Sequence, residues 1–380
     1  MEPKQLKVQA GDHELVFETG KIAKQANGAV TIRCNDTIVF SSACADKTVS
    51  AEVDFLPLRV DYQEKFSSVG RTVSGFIKRE GRPTTKETLT ARLMDRPIRP
   101  LFPKGFNDEV QCQAIVISSD RQTDADMLAM NGVAAALLIS PLPFQGPVAS
   151  ARVGRVGGEW VAFPTADDLE DSDVDLIVSG SEEAVTMIEG FAREVPESEM
   201  LDAIRFAHDV IREVIGLQRE LAAQVQIEKI DFVESNDTSL IDTLKDRYYD
   251  EFRQAKQTSG KQARADAVRA LKERMIGEMI PDANAEGAIS GPALSTAWHD
   301  LEGRVVRDLI LDGTRPDGRD GKTLRDIQCF VDVLPRTHGS AVFQRGETQA
   351  LVSVTLGTAR DEQRVDGLME EYSKKFMLDY

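Results

Sequence analysis

Two stretches of this chain can be laid over one another, and a match of that kind suggests that one fold is used twice. GAVTIRCNDTIVFSS beginning at Gly28 lies over GSAVFQRGETQALVSV beginning at Gly339, glycine on glycine, Asp36 on Glu347 and Thr37 on Thr348. Val60-Asp61-Tyr62 likewise meets Leu378-Asp379-Tyr380 at nearly the same offset. Both copies read as β-hairpins, so the chain is expected to carry one β-rich module and to begin it again near residue 339. Short hairpins share turn chemistry, and a coincidental likeness of two hairpins is the competing reading. Under duplication the first copy continues for about 150 residues past Val60-Asp61-Tyr62, while the second halts there. That would leave a sheet edge and half a core, so the chain is expected to be a fragment of something longer.

Between the copies, hydrophobic periodicity sets the elements. Residues 12–18 and 29–43 read as strands, the second broken by the turn signal Asn35-Asp36 into a hairpin. Residues 110–118 alternate as a strand, 127–139 form an alanine-rich buried helix, 153–163 a hairpin turning at Gly157-Gly158, and 174–178 a short apolar strand. Pro196 introduces a helix with Met200, Ile204, Ala207, Ile211 and Val214 on one stripe. Meandering strands with interposed helices favour an α+β fold for residues 1–225 over a doubly wound sheet. From 235 to 312 the period becomes purely helical: Leu240, Leu244, Tyr248 and Phe252, then Val268, Leu271, Met275 and Met279, then Leu294, Trp298, Leu301, Val305 and Leu309. The turn Arg315-Pro316-Asp317-Gly318-Arg319 ends that all-helical domain, and a last domain is expected over 315–380.

Charge singles out one segment. Residues 71–106 hold nine Lys or Arg against three carboxylates, a net +6 in a chain of formal charge −17. Such charge repels itself, and gathering it suits a polyanion. Gly75, Gly81 and Pro83 place Phe76, Ile77, Lys78 and Arg79 on a turn. Thr84 followed by Glu87 reads as a capping box opening a helix that Pro97 is expected to close, with Leu89 and Leu93 on one face and Arg92 and Arg96 on another. Arg99 follows just past its end. An aromatic with two cations beside a row of guanidiniums suits stacking on a base and forking onto phosphates. A solvated cationic face with Phe76 tucked into the core is the alternative.

The strong acidity excludes a nucleic-acid binder that is basic all over, but not one with a local basic groove. Four cysteines (Cys34, Cys44, Cys112, Cys329) without CxxC spacing are expected to be reduced core thiols, and four scattered histidines to be structural. No signal peptide and no apolar run of 18 residues is present, so no membrane association and a cytoplasmic location are expected.

GFIKREGRP, then ETLTARLMDRPIRPLFPKGF, RPDGR and LPRTHGSAVFQRGETQALVSVTLGTAR, together resemble bacterial polynucleotide phosphorylase. The resemblance covers essentially the whole chain. It implies an RNase PH-like core (a non-catalytic copy), an all-helical domain and the start of a second RNase PH-like core. It also implies a homotrimeric ring with single-stranded RNA threading its channel, membership of an RNA-degradation complex, and reversible attack of inorganic phosphate on the RNA 3′ end to release nucleoside 5′-diphosphates. On this likeness Phe76, Lys78 and Arg79 match the channel loop, departing from the common Phe-Phe-Arg-Arg form by one aromatic and one arginine. Arg92, Arg96 and Arg99 would line the RNA path, and Arg319 and Arg345 would belong to the second core. The family's phosphate-binding serines and its Mg2+-holding aspartates fall beyond Tyr380, so the chain alone is expected to lack phosphorolytic activity. The alternatives are a non-catalytic RNA-binding or ring-forming subunit, a hydrolytic 3′ exonuclease, and a metabolite-binding protein.

Overall fold

In the computed structural model, which describes residues 2–46, 55–73, 76, 78–233, 238–282 and 288–380, the chain divides into two units. The first comprises Met1–Ser235 with Arg364–Lys374, the second Asn236–Gln363 with Lys375–Tyr380.

The first unit opens with β1 (Lys4–Ala10), β2 (His13–Thr19), β3 (Gly28–Cys34), β4 (Thr37–Asp46) and β5 (Leu58–Glu64), then α1 (Thr85–Ile98) and β6 (Glu109–Ser118). These strands form one sheet in the order β1-β2-β3-β4-β6-β5, antiparallel except where β5 runs parallel to β6. The expected hairpin turns at Asn35, whose positive φ of 52° is the conformation a two-residue loop requires. Next come α2 (Ala125–Leu138), β7 (Ala149–Val156), β8 (Glu159–Ala162), α3 (Ala166–Asp171), β9 (Val174–Gly180), β10 (Val185–Ala192) and α4 (Glu197–Val225). A second sheet, β10-β9-β7-β8, turns between β7 and β8 at Gly157 and Gly158, both with positive φ. Helix α2 packs on strands of both sheets and is buried along nearly its whole length, which explains its run of small residues. Its approach is close: a Cβ on Gly28 would sit 2.0 Å from the carbonyl oxygen of Ala136. Asn131 satisfies its buried amide on β7, donating to the Ser150 carbonyl at 2.9 Å and accepting from the Ser150 amide at 2.8 Å. The stripe on α4 is inward as expected, with Ala207, Ile211 and Val214 fully buried.

In the second unit, α5 (Ser239–Lys256), α6 (Lys261–Met279) and α7 (Gly291–Leu311) bury the residues their periods nominate. Phe252 and Trp298 stack at the centre with ring centroids 4.2 Å apart. The helices are followed by the sheet β11 (Ile327–Val331), β12 (Gly339–Arg345) and β13 (Thr348–Val354). The hairpin β12–β13 repeats the register of β3–β4: Arg345 faces Thr348 as Cys34 faces Thr37. The surroundings differ. Ile32 is fully buried under α2, whereas Phe343, its counterpart, is 44% exposed.

Three expectations need correction. Helix α1 runs through Pro97 to Ile98 and on into a 3₁₀ turn, Arg99–Leu101, because in a last turn the missing amide forfeits one bond and the ring is buried. Its buried face, which the sequence reading did not assign, is Thr90, Met94, Pro97 and Ile98, and Leu89 is exposed. Cys34 and Cys112 are core thiols, but Cys44 and Cys329 are exposed on strand faces turned to solvent. Val60-Asp61-Tyr62 lies in β5, yet Leu378-Asp379-Tyr380 takes no regular structure. The physical reason is that β5 exists by pairing with β6, and no strand among the described residues offers that pairing to the second copy.

Candidate nucleic-acid interface

The basic segment sorts into cations that hold the fold and cations that face solvent. Thr84 caps α1 as expected: its Oγ1 accepts from the Glu87 amide at 3.1 Å, and the Glu87 carboxylate accepts from the Thr84 amide at 2.7 Å. The same carboxylate accepts from the backbone amide of Glu64 at 2.9 Å, pinning the start of the helix to β5. Lys86, one turn in, points inward. Its Nζ lies 2.7 Å from Glu64 and 3.9 Å from the buried carboxylate of Asp126. Burial alone would lower the Lys86 pKa, but the charges of Asp126, Glu64 and Asp124 outweigh it and hold the ammonium above its usual value. Burial, and then the neighbouring Asp124, push Asp126 the other way, towards the protonated acid.

Three further cations are engaged. Arg71 donates to Asp366 at 3.1 Å and to the Gly367 carbonyl at 3.3 Å, with its guanidinium over the Phe66 ring. Arg99 is saturated: its Nε donates to both carboxylate oxygens of Asp95 at 3.1 Å, and its two terminal nitrogens donate to the carbonyls of Leu56 and Leu58 at 3.0 Å. Arg96 reaches across to Glu189 on β10 at 2.5 Å, an exposed pair of the kind that is worth little.

The remainder is presented outward. Phe76 is fully exposed, which rules out its place in the core. Lys78 sits in the left-handed region with φ 53°, a conformation that costs a non-glycine residue about 1 kcal/mol and clusters at functional sites. Lys78, Arg79, Arg82 and Arg92 are exposed and make no ion pair among the described residues. Gly75 and Ile77, part of the same expected turn, lie outside the described residues.

In the second unit Arg319 and Arg345 line one cavity of about 480 Å3, together with Lys261, Arg264 and Arg325. Arg319 donates through Nε to Asp317 at 3.0 Å and through a terminal nitrogen to the Thr323 carbonyl. The hydrogen bond from Arg319 holds the Asp317 carboxyl down at about 2. Arg345 is exposed and has no partner among the described residues. Sequence reading missed Lys261, Arg264 and Arg325. The turn glycine Gly260 hinted at a helix start there, but nothing local indicates what faces it. Among the described residues no group of three or more His, Cys, Asp or Glu could hold a metal ion. Among the same residues no helix is long and apolar enough to cross a membrane.

Comparison with known proteins agrees along the chain. The model of the 3′ exoribonuclease family, domain 1, matches residues 12–143 and again 323–380, as the duplication requires. Domain 2 of that family matches residues 146–210, and the model described as "Polyribonucleotide nucleotidyltransferase, RNA binding domain" matches 239–320. A polyribonucleotide nucleotidyltransferase of Rhodopirellula baltica is 60% identical over 97% of this chain and 49% of its own length. Those of Geotalea uraniireducens and Sorangium cellulosum are each 44% identical, over 99% and 98% of this chain and 54% and 50% of their own. The chain therefore spans about half the length of these relatives. A solved structure, rice Rrp46, aligns with a TM-score of 0.44 at 10% identity, over 58% of this chain and 94% of its own.

Proposed function

Because this chain belongs to the polyribonucleotide nucleotidyltransferase branch of the 3′ exoribonuclease family, we propose that it serves reversible 3′-to-5′ phosphorolysis of single-stranded RNA, gripping the strand at the basic loop and the outer edge of α1. In that reaction inorganic phosphate displaces the terminal nucleotide as a nucleoside 5′-diphosphate. The observation that carries the reading is the sorting of cations: Phe76 is fully exposed, and Lys78, Arg79, Arg82 and Arg92 are exposed and make no ion pair among the described residues, in a chain of net charge −17. An exposed ring gives a sequence-tolerant stacking surface, and unpaired cations neutralise phosphates without first breaking an internal pair. The net negative charge of the chain disfavours indiscriminate RNA binding, which favours binding at the loop. Arg96 would join by exchanging Glu189 for a phosphate, and Arg99 would act by holding the start of the 3₁₀ turn in place.

The wider assembly in this reading is a homotrimer in the cytoplasm, within an RNA-degradation complex, that uses inorganic phosphate and magnesium. Residues 1–380 supply the grip rather than bond cleavage. The test incubates the chain with oligoadenylate, phosphate and Mg2+, following both RNA retention and ADP release. Retention that weakens in Arg79→Gln and Arg92→Gln, with no ADP released, is expected. Robust ADP release would overturn the division of labour, and unchanged retention in the variants would overturn the grip.

A further inference from the structure

The basic loop is tied down at both ends on neighbouring residues, and a segment from far along the chain holds the tie. At the start of the loop, Arg71 donates its backbone amide to the Phe66 carbonyl at 3.0 Å and lays its guanidinium over the Phe66 ring, 5.6 Å from the centroid. At its end, Glu80 accepts from the Phe66 amide at 3.2 Å and from the Lys65 ammonium at 2.6 Å. Phe76, Lys78 and Arg79 are therefore carried on a junction built around Phe66. The Arg71 guanidinium then reaches further, donating to the Asp366 carboxylate at 3.1 Å and to the Gly367 carbonyl at 3.3 Å. Those two residues lie between the paired strands β14 (Gln363–Val365) and β15 (Tyr372–Lys374). The segment Arg364–Lys374 belongs to the first unit, although it falls within 323–380, the second stretch matched by the domain 1 model. Leu368, next along, is 3% exposed and joins the hydrophobic core of the first unit.

We propose that this segment of the second copy is a strap on the RNA loop of the first, with Leu368 as its anchor and with Asp366 and Arg71 as positioning residues. What the strap positions rests on the RNA reading, whereas its hold on the loop does not. A loop held in place before RNA arrives has less freedom to lose on binding, so the strap strengthens the grip without touching the strand. Whatever draws Leu368 out of its seat is then expected to loosen that grip.

The sign of one substitution separates the strap from plain electrostatics. Asp366→Ala removes a negative charge beside the loop, so charge alone would tighten binding of oligoadenylate. Under the strap it weakens binding about fivefold, the most that a partly exposed ion pair of this kind contributes. No phosphate contact is lost, so the slope of log K against log salt is expected to stay as it is, unlike that of Arg92→Gln. Leu368→Ala alters no charge and is expected to act in the same direction, while Asp366→Glu, which keeps the carboxylate, is expected to stay near the parent.

The loop is read without RNA by limited trypsin digestion of the whole chain, timed by mass spectrometry at Lys78 and Arg79. Cleavage there is expected to be about fivefold faster in Asp366→Ala, as the open loop becomes more populated, with Tm unchanged. Faster cleavage in a chain that retains no oligoadenylate would uphold the strap and overturn the RNA grip. The proposal is overturned if cleavage keeps the parent's rate, or if oligoadenylate binds Asp366→Ala as tightly as the parent or more tightly.

Discussion

Arg92 and Arg99 stand in one motif seven residues apart; Arg99 is spent on hydrogen bonds within the fold, and the proposed grip falls to Arg92. Arg92 has no ion-pair partner among the described residues, so Arg92→Gln is expected to leave Tm unchanged. Its cost appears in RNA binding: one fewer phosphate neutralised on a single strand lowers the slope of log K against log salt by about 0.7. Relative to 1 M salt that amounts to about fivefold in affinity at 0.1 M. Arg99→Gln is expected to do the reverse. It removes donors from the Leu56 and Leu58 carbonyls and from Asp95. Hydrogen bonds to a charged group contribute about 1.5–3 kcal/mol each when buried, and the Arg99 side chain is 42% exposed, so about 2 kcal/mol in all is a fair total. For a unit of this size that corresponds to roughly 4–8 °C in Tm. The assay pairs thermal melts of the two variants with fluorescence-anisotropy titrations of an RNA oligonucleotide at four salt concentrations. Equal slope losses in the two variants with no fall in Tm for Arg99→Gln would refute the assignment of Arg99 to the fold.

Two further outcomes follow from the geometry. Gly28→Ala places a Cβ 2.0 Å from the Ala136 carbonyl oxygen in a filled core and is expected to cost at least about 3 kcal/mol, whereas Gly339→Ala meets only the Val354 Cβ at 3.6 Å and is expected to be neutral in a urea melt. Asp317, held at about 2 by Arg319, has a folded-state pKa below its unfolded value, so its contribution is present above pH 4 and lost as pH falls from about 4 to 2. Urea melts followed by the fluorescence of buried Trp298 are expected to show that acid loss, and Asp317→Asn is expected to flatten it.

Much of this architecture was legible because its causes are local. A 3.6-residue period places Leu244, Tyr248 and Phe252 on one side of α5 whatever lies opposite, and a threonine followed by a glutamate at the third position caps a helix from within four residues. The repeated hairpin was readable for the same reason, since turn chemistry at Asn35 and Gly346 fixes register without reference to the rest of the chain. Where local signals misled, a distant neighbour had decided. Pro97, expected to close α1, stays helical because the core accepts its ring, and Thr90 and Met94 face inward because α1 rests on β5 and α2.

The net +6 of residues 71–106 was evident in the sequence, but charge per residue does not say which cations are already spent. Tertiary structure alone made that division, taking Arg99 to carbonyls 41 and 43 positions back, Arg96 to a glutamate 93 positions on and Arg71 to an aspartate 295 positions on. Hydrogen bonding is set by distance in space, which a linear order does not contain. The outer edge of α1 to which the RNA grip is proposed is what remains, among the described residues, after those long-range bonds are made.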